Sequence, residues 1–257
     1  VPDLTCQGNG TIEPIVAFPV RPQAFNAGGK DEKAAAAISS DGKVLHVRGR
    51  FVDKVSATAT PLITVPLPPE AEVLPRTGLS ARAKKRMVNW LRECREVAAE
   101  GDWEARARDP PFRRAFTETL LCGMTGMRDP APVEVIMAAQ VYSEHVFDFF
   151  TEGYQLSDHV NNILTTYGAL IEQSLPALTA ARRLCRTEQG RLSQVRNEAR
   201  EGALFCVILG AEVPYLLRPS PGKPGVYTLV GDCFLHGVMQ GEALKDGRYD
   251  TVDIIIE

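Results

Sequence analysis

The stretch RRLCRTEQGRLSQVRNEAREGALFCVILGAEVPYLLRP, residues 182–219, decides how this chain folds. Upstream of it, apolar residues recur three and four apart. From Arg182 onward they come in short runs bounded by turn residues. Residues 182–195 read as two short strands joined near residues 188–190. Residues 201–219 read as two apolar strands with a turn at Gly210-Ala211. PGKPGVYTLVGDCFLHG, residues 221–237, adds a proline–glycine turn and another strand, and TVDIIIE, residues 251–257, supplies a last one. That density of short strands predicts a compact antiparallel sheet or a small barrel.

Residues 81–181 carry the helical period. In ARAKKRMVNWLRECREVAAEG the residues Met87, Trp90, Leu91, Cys94 and Val97 fall on one face, and Gly101 is a natural stop. PPFRRAFTETLLCG opens with prolines, which suit a first helical turn. A third helix is predicted from Ala131-Pro132 to Gly153, and a fourth from Ser157 or Asp158 over HVNNILTTYGALIEQSL. A short helix is expected at residues 176–183. The first 80 residues are irregular apart from a strand over residues 43–56, which follows an Asp41-Gly42 turn and is expected to break or bulge at Gly49. Residues 59–80 hold five prolines and read as a loop. The expected organisation is therefore α+β, in three segments. These are an irregular N-terminal segment 1–80, a helical segment 81–181 and an antiparallel β segment 182–257. The early strand is expected to join the late sheet, which would make the helices an insertion.

Composition narrows the function. The formal net charge is -3, which supplies no basic field for nucleic acid. The most apolar run, ALFCVILGAEV, is too short to span a bilayer, so a cytoplasmic protein is expected. The six cysteines form no CxxC pair and read as free, mostly buried thiols. The first residue is Val1, which suggests a processed chain or a fragment. No metal site and no cofactor are predicted: there is no HExxH, and AGG at residues 27–29 lacks the lysine and hydroxyl residue of a phosphate loop.

The chemistry-bearing residues concentrate in YTLVGDCFLHGVMQGEAL, residues 227–244. Asp232, Cys233, His236 and Glu242 form the candidate cluster. A nucleophilic reading needs an exposed Cys233 thiol lowered in pKa beside the His236 imidazole. An acid–base reading needs Asp232 and Glu242 to converge, or Asp148 and Glu152 at helical spacing. The bland reading makes these residues parts of a strand and its turns, and it is preferred. His46, His145 and His159 are read as structural or surface residues. The run ARAKKR offers a second candidate, a basic surface of Arg82, Lys84, Lys85 and Arg86 at the start of a helix, where cations meet the positive end of the dipole.

Six segments, taken in order, resemble fungal heterokaryon-incompatibility proteins. They are VPDL at 1–4, FNAGG at 25–29, DGKVLHVRGRFVDKV at 41–55, ARRLCRTEQGRL at 181–192, EGALFCVILGAEVPYLLRP at 201–219 and YTLVGDCFLHGVMQGEAL at 227–244. Glu201-Gly202-Ala203 departs from the proline–glycine–aspartate usual in that family. The L-S-Y-x-W-G segment of the family's N-terminal HET domain is absent, so the chain resembles the C-terminal region alone. The resemblance implies a non-catalytic regulatory or recognition region in non-self recognition and programmed cell death. Its expected partner is another protein or the missing HET domain, with no nucleic acid and no membrane. The alternatives are a general interaction or scaffold domain, and an enzyme of unknown reaction that uses residues 232–242.

Overall fold

The computed structural model describes residues 5–6, 12–13, 25–29, 36–62, 81–125, 129–146, 155–179, 181–245 and 247–257. Along the chain run β1 (Thr5–Cys6), β2 (Ile12–Glu13), β3 (Ala37–Ile38), β4 (Leu45–Thr58), α1 (Ala81–Ala99), α2 (Trp103–Arg106) and α3 (Pro110–Leu120). There follow β5 (Met124–Thr125), β6 (Asp129–Pro130), α4 (Val133–His145), α5 (Asp158–Thr179), β7 (Arg182–Thr187), β8 (Leu192–Arg196) and β9 (Leu204–Ile208). The chain ends with β10 (Tyr215–Pro219), β11 (Val226–Asp232), β12 (Phe234–Leu235), α6 (Glu242–Lys245) and β13 (Val252–Ile256). The fold is α+β. Two compact units divide the chain, one of Val1–Thr58 with Cys185–Glu257 and one of Ala59–Leu184.

In the first unit β4 joins the late strands, as expected. It pairs antiparallel with β13 (Val47 opposite Ile254) and with β9 (Arg50 opposite Val207). β9 pairs with β10, β10 with β11, and β11 with β13, so the five strands close into a ring. Closure removes the open edges that a five-stranded sheet would expose. One pair is parallel, β11 with β13 (Tyr227 opposite Ile256), because the chain from β12 through α6 carries it back before β13 begins. The C-terminal half of β4 pairs with β7, and β8 and β12 extend the sheet from there.

Each strand of the ring separates two environments. On the outward side of β4 and β13, Arg48 and Asp253 pair at 3.9 Å in solvent. Val47, Cys206, Tyr215, Leu217, Ile254 and Ile256 are buried on the inward side. The outward side of β9 and β10 is covered instead by a second core. There Phe205, Val207 and Leu216 pack with Val52, Val55, Val195 and Leu235. β9 is therefore buried on both faces, which is why LFCVI is a continuous apolar run with no alternation.

Gly49 is not the break that was expected. β4 runs through it unbroken, pairing on both sides, with Ile208 and with Val252. A Cβ there would sit 2.7 Å from the Val207 carbonyl oxygen and 3.1 Å from Cys206 Sγ and Ile254 Cδ1. The glycine serves close approach, and the register shifts lie further along, between Phe51 and Asp53 and between Val55 and Ala57.

In the helical unit α1 buries Met87, Trp90, Leu91, Cys94 and Ala98. It ends where Gly101, at φ 85°, donates its N–H to the Glu96 carbonyl at 3.0 Å. Asp102 then caps α2, accepting from Ala105 N at 3.1 Å. Prolines 110 and 111 open α3 as the sequence suggests. α4 packs against α3 and α5, and Tyr142 donates to the buried Glu172 carboxylate at 3.2 Å. α4 is assigned to His145, and the rest of the predicted third helix, residues 147–153, lies outside the described residues. Among the described residues there is no separate helix at 176–183: residues 176–179 belong to α5 and residues 182–183 to β7. Pro176 lies inside α5, which continues to Thr179 because Ile171, Leu175 and Leu178 bury one face across the proline.

Candidate functional site

The predicted cluster of residues 232–242 is spread over a strand end, two turns and a helix start. β11 bends at its end: Leu216 faces Gly231 and Leu217 faces Leu229, leaving Val230 as the extra residue. Gly231, at φ 149°, has Arg196 Cγ 2.6 Å from where a Cβ would stand. Asp232 follows, 4% exposed and opposite Tyr215 in the register. Cys233 is fully buried, and its backbone N–H and its thiol both donate to the Pro214 carbonyl, at 3.0 and 3.3 Å. A thiol in that position is inaccessible to a substrate. His236 is half-buried, and its backbone N–H donates to the Leu192 carbonyl at 3.0 Å. Glu242 is exposed and accepts the Gln240 N–H at 2.7 Å, so it caps the turn that starts its own helix.

The neighbouring titratable groups have the character of a core. Burial pushes the Tyr215 hydroxyl well above the usual phenol range, helped by the carboxylates of Asp232 and Glu212. Burial does the same to the thiols of Cys185 and Cys206. Cys94, Cys122, Cys185, Cys206 and Cys233 are buried and in no disulfide, as expected. Among the described residues no group of three His, Cys, Asp or Glu side chains could hold a metal ion. Asp148 and Glu152 lie outside the described residues. His46 and His159 are exposed, and His145 is half-buried in the last turn of α4.

Of the basic run, Lys85 and Arg86 are exposed on α1, and the first turn of that helix holds no acidic residue. The side chains of Arg82 and Lys84 lie outside the described residues. Further along α1 an open cleft of about 610 Å³ is lined by Arg92, Arg95, Glu96, Asp102, Trp103 and Glu144, among others. Arg95 lies over the Trp103 ring at 4.6 Å and donates to the Ser143 carbonyl. Glu144 pairs with Arg113 at 3.2 Å. Much of the cleft's charge is thus engaged in holding its own walls.

Two polar constructions were not predicted. Asp53, in the VDKV segment, pairs with Arg191 at 2.9 Å, and Arg191 also donates to the Tyr249 hydroxyl at 2.8 Å. Arg50 donates to Thr251 Oγ1 at 3.0 Å and to the carbonyls of Ala243 and Leu244 at 3.1 Å. The two arginines pin α6 and the chain that follows it onto the second core. The available signal is that Asp53 is the one acidic residue of the strand LHVRGRFVDKVSAT, and a carboxylate needs a partner when buried.

Residues 25–29, the FNAGG segment, are also built into this unit. Asn26 N donates to the Met239 carbonyl, Ala27 N to that of Glu212 and Gly28 N to that of Ala211, at 2.9, 2.9 and 2.7 Å. Gly210 N returns a bond to the Gly28 carbonyl at 2.8 Å. Phe25 meets Phe234 edge-on at 6.1 Å, and Ala27 is fully buried. A segment from the N-terminal part of the chain therefore seats between the turn after β9 and the turn after β12.

A closed mixed barrel with a second core on its flank defines a compact β-barrel domain. Residues 153–252 match the family model of the Het-6 beta-barrel domain, so a domain of that kind is present over part of the chain. The matched residues contain β9, β10 and β11 and reach the first residue of β13, whereas β4, which closes the ring, lies before them. No curated protein and no solved structure matches the chain. Among the described residues no helix is long and apolar enough to cross a membrane.

Proposed function

We propose that this chain is a non-catalytic regulatory or recognition region of a fungal heterokaryon-incompatibility-like protein, acting in non-self recognition and programmed cell death. The observation that carries this reading is the match of residues 153–252 to the Het-6 beta-barrel domain. The candidate chemistry agrees with it. Cys233 is sealed in the core with its thiol on a backbone carbonyl, and Glu242 is spent on a cap. The region works by contact, on a protein partner or on a HET domain, in the cytoplasm.

Expression of a toxic HET domain in fungal cells, with and without residues 1–257 joined to it, tests the reading. The expected result is that the region changes cell killing or the condition that triggers it. Unchanged viability in every combination would sink it. A general scaffold domain, the main alternative, predicts partner binding with no effect on viability.

A further inference from the structure

We propose that the groove holding residues 25–29 is a peptide-recognition site that takes the same segment of a second copy of this chain. The segment is a turn, closed by Gly29 N donating to the Asn26 carbonyl at 3.3 Å with Gly29 at φ 79°, and three features of the groove are those of a binding site for such a peptide turn. Its affinity comes from main-chain bonds: the carbonyls of Met239, Glu212 and Ala211 accept the three successive N–H groups of Asn26, Ala27 and Gly28, and Gly210 N donates to the Gly28 carbonyl. Its first selective position is aromatic, with Phe25 only 7% exposed and edge-on to Phe234. Its second is a position that admits glycine alone. A Cβ on Gly28 would overlap the Ile208 carbonyl and stand 2.6 and 2.7 Å from the backbone N and O of Ala211. These neighbours are backbone atoms of a turn at the end of β9 and cannot give way as a flexible side chain would. Gly241 also lies under the segment: a Cβ there would stand 3.3 Å from the Asn26 carbonyl.

This selectivity is written for the sequence aromatic–Asn–Ala–Gly–Gly, which the chain itself carries at residues 25–29. The occupant in trans is therefore a second copy. In one chain the tethered segment holds the groove at an effective concentration in the millimolar range, so exchange between copies needs the tethered segment to leave first. This inference does not depend on the cell-death reading and is tested separately.

The test uses the full chain with Gly28→Ala, whose own segment no longer seats, and a fluorescent synthetic peptide of residues 23–30. The peptide is expected to bind the variant about tenfold or more tighter than the wild-type chain and to raise the variant's melting temperature. The same peptide carrying Ala in place of Gly28 is expected to bind neither. A folded Gly28→Ala chain that ignores the wild-type peptide, or that takes both peptides equally, overturns the proposal. Should the variant fail to fold, a protease site placed at residues 30–35 of the wild-type chain serves instead. After cleavage, excess wild-type peptide should displace the N-terminal piece and the Ala peptide should not. Failure of displacement, or displacement by both peptides, is the overturning result.

Discussion

Asp53 and Arg191 stand 138 residues apart in the chain and meet at 2.9 Å, with the Asp53 side chain 1% exposed and that of Arg191 23% exposed. Asp53 also accepts the backbone N–H groups of Lys54 and Gln189, at 2.9 and 3.3 Å, so the carboxylate is surrounded by donors. Its position follows from the register shift between Phe51 and Asp53, which turns a polar residue to a place where Arg191 reaches it. Removing one partner strands the other. Asp53→Ala should cost about 3 kcal/mol, whereas Asp53→Leu combined with Arg191→Met should recover much of that loss. Urea unfolding of the three variants checks this. A double variant no more stable than Asp53→Ala would show that the pair matters for something other than mutual neutralisation.

Gly49 and Gly42 make a controlled comparison. Gly49 lies where β4 pairs on both sides, and its missing Cβ leaves room for the Val207 carbonyl and two core side chains. Gly42, at φ 70°, has nothing within 4 Å and owes its identity to backbone conformation alone. Gly49→Ala is expected to cost about 2–3 kcal/mol through overpacking, and Gly42→Ala about 1 kcal/mol. Thermal melting of the two variants checks the order; equal losses would mean that the barrel yields at its seam.

These two sites mark how far the sequence could be read. Short strands after Arg182 and helices before it follow from local period, because each side chain's burial repeats at the spacing of its own element. The strand expected over residues 43–56 is β4, Leu45–Thr58, and it joins the late sheet as expected. A small barrel is one of the two forms that the strand density predicts, but which strands close it is not legible, because closure rests on β4 pairing with β13 and β9 across the whole helical segment, and period carries no information about partners. Gly49 was misread for a related reason. A glycine in a strand signals either a bulge or a close approach, and only the position of Val207 decides between them. The candidate site divides in the same way. Cys233 sits among apolar residues and its burial was legible, while the Asp53–Arg191 pair joins two segments that no local rule connects.

Thiol reactivity follows from burial. Cys94, Cys185 and Cys206 are each held well above the usual thiol range, with desolvation as the largest cause. At neutral pH their thiolate fraction is negligible, and the side chains are closed to solvent. Alkylation of the native chain followed by peptide mass mapping should leave these three unmodified, and Cys233 with them, until denaturant unfolds the protein. Modification of any of the four at the rate of a free thiol would contradict the core described above.

Tyr215 gives the opposite sign to the usual core mutation. Its ring is inside the barrel, 2% exposed, and its hydroxyl finds no hydrogen-bond partner among the described residues. Burial pushes its ionisation up, and the nearby carboxylates of Asp232 and Glu212 act in the same direction, so the group stays neutral through any physiological pH. A neutral hydroxyl desolvated without a partner is a cost to the folded state, because the unfolded chain gives it water. Tyr215→Phe keeps the ring and deletes the oxygen alone. The variant should therefore be more stable by about 1 kcal/mol, with no dependence of that gain on pH between neutrality and pH 9. Paired unfolding curves at the two pH values check both parts. A loss of stability on removing the hydroxyl would mean that the oxygen is bound in the folded protein, and Asp232, opposite it in the register, would be the first residue to substitute next.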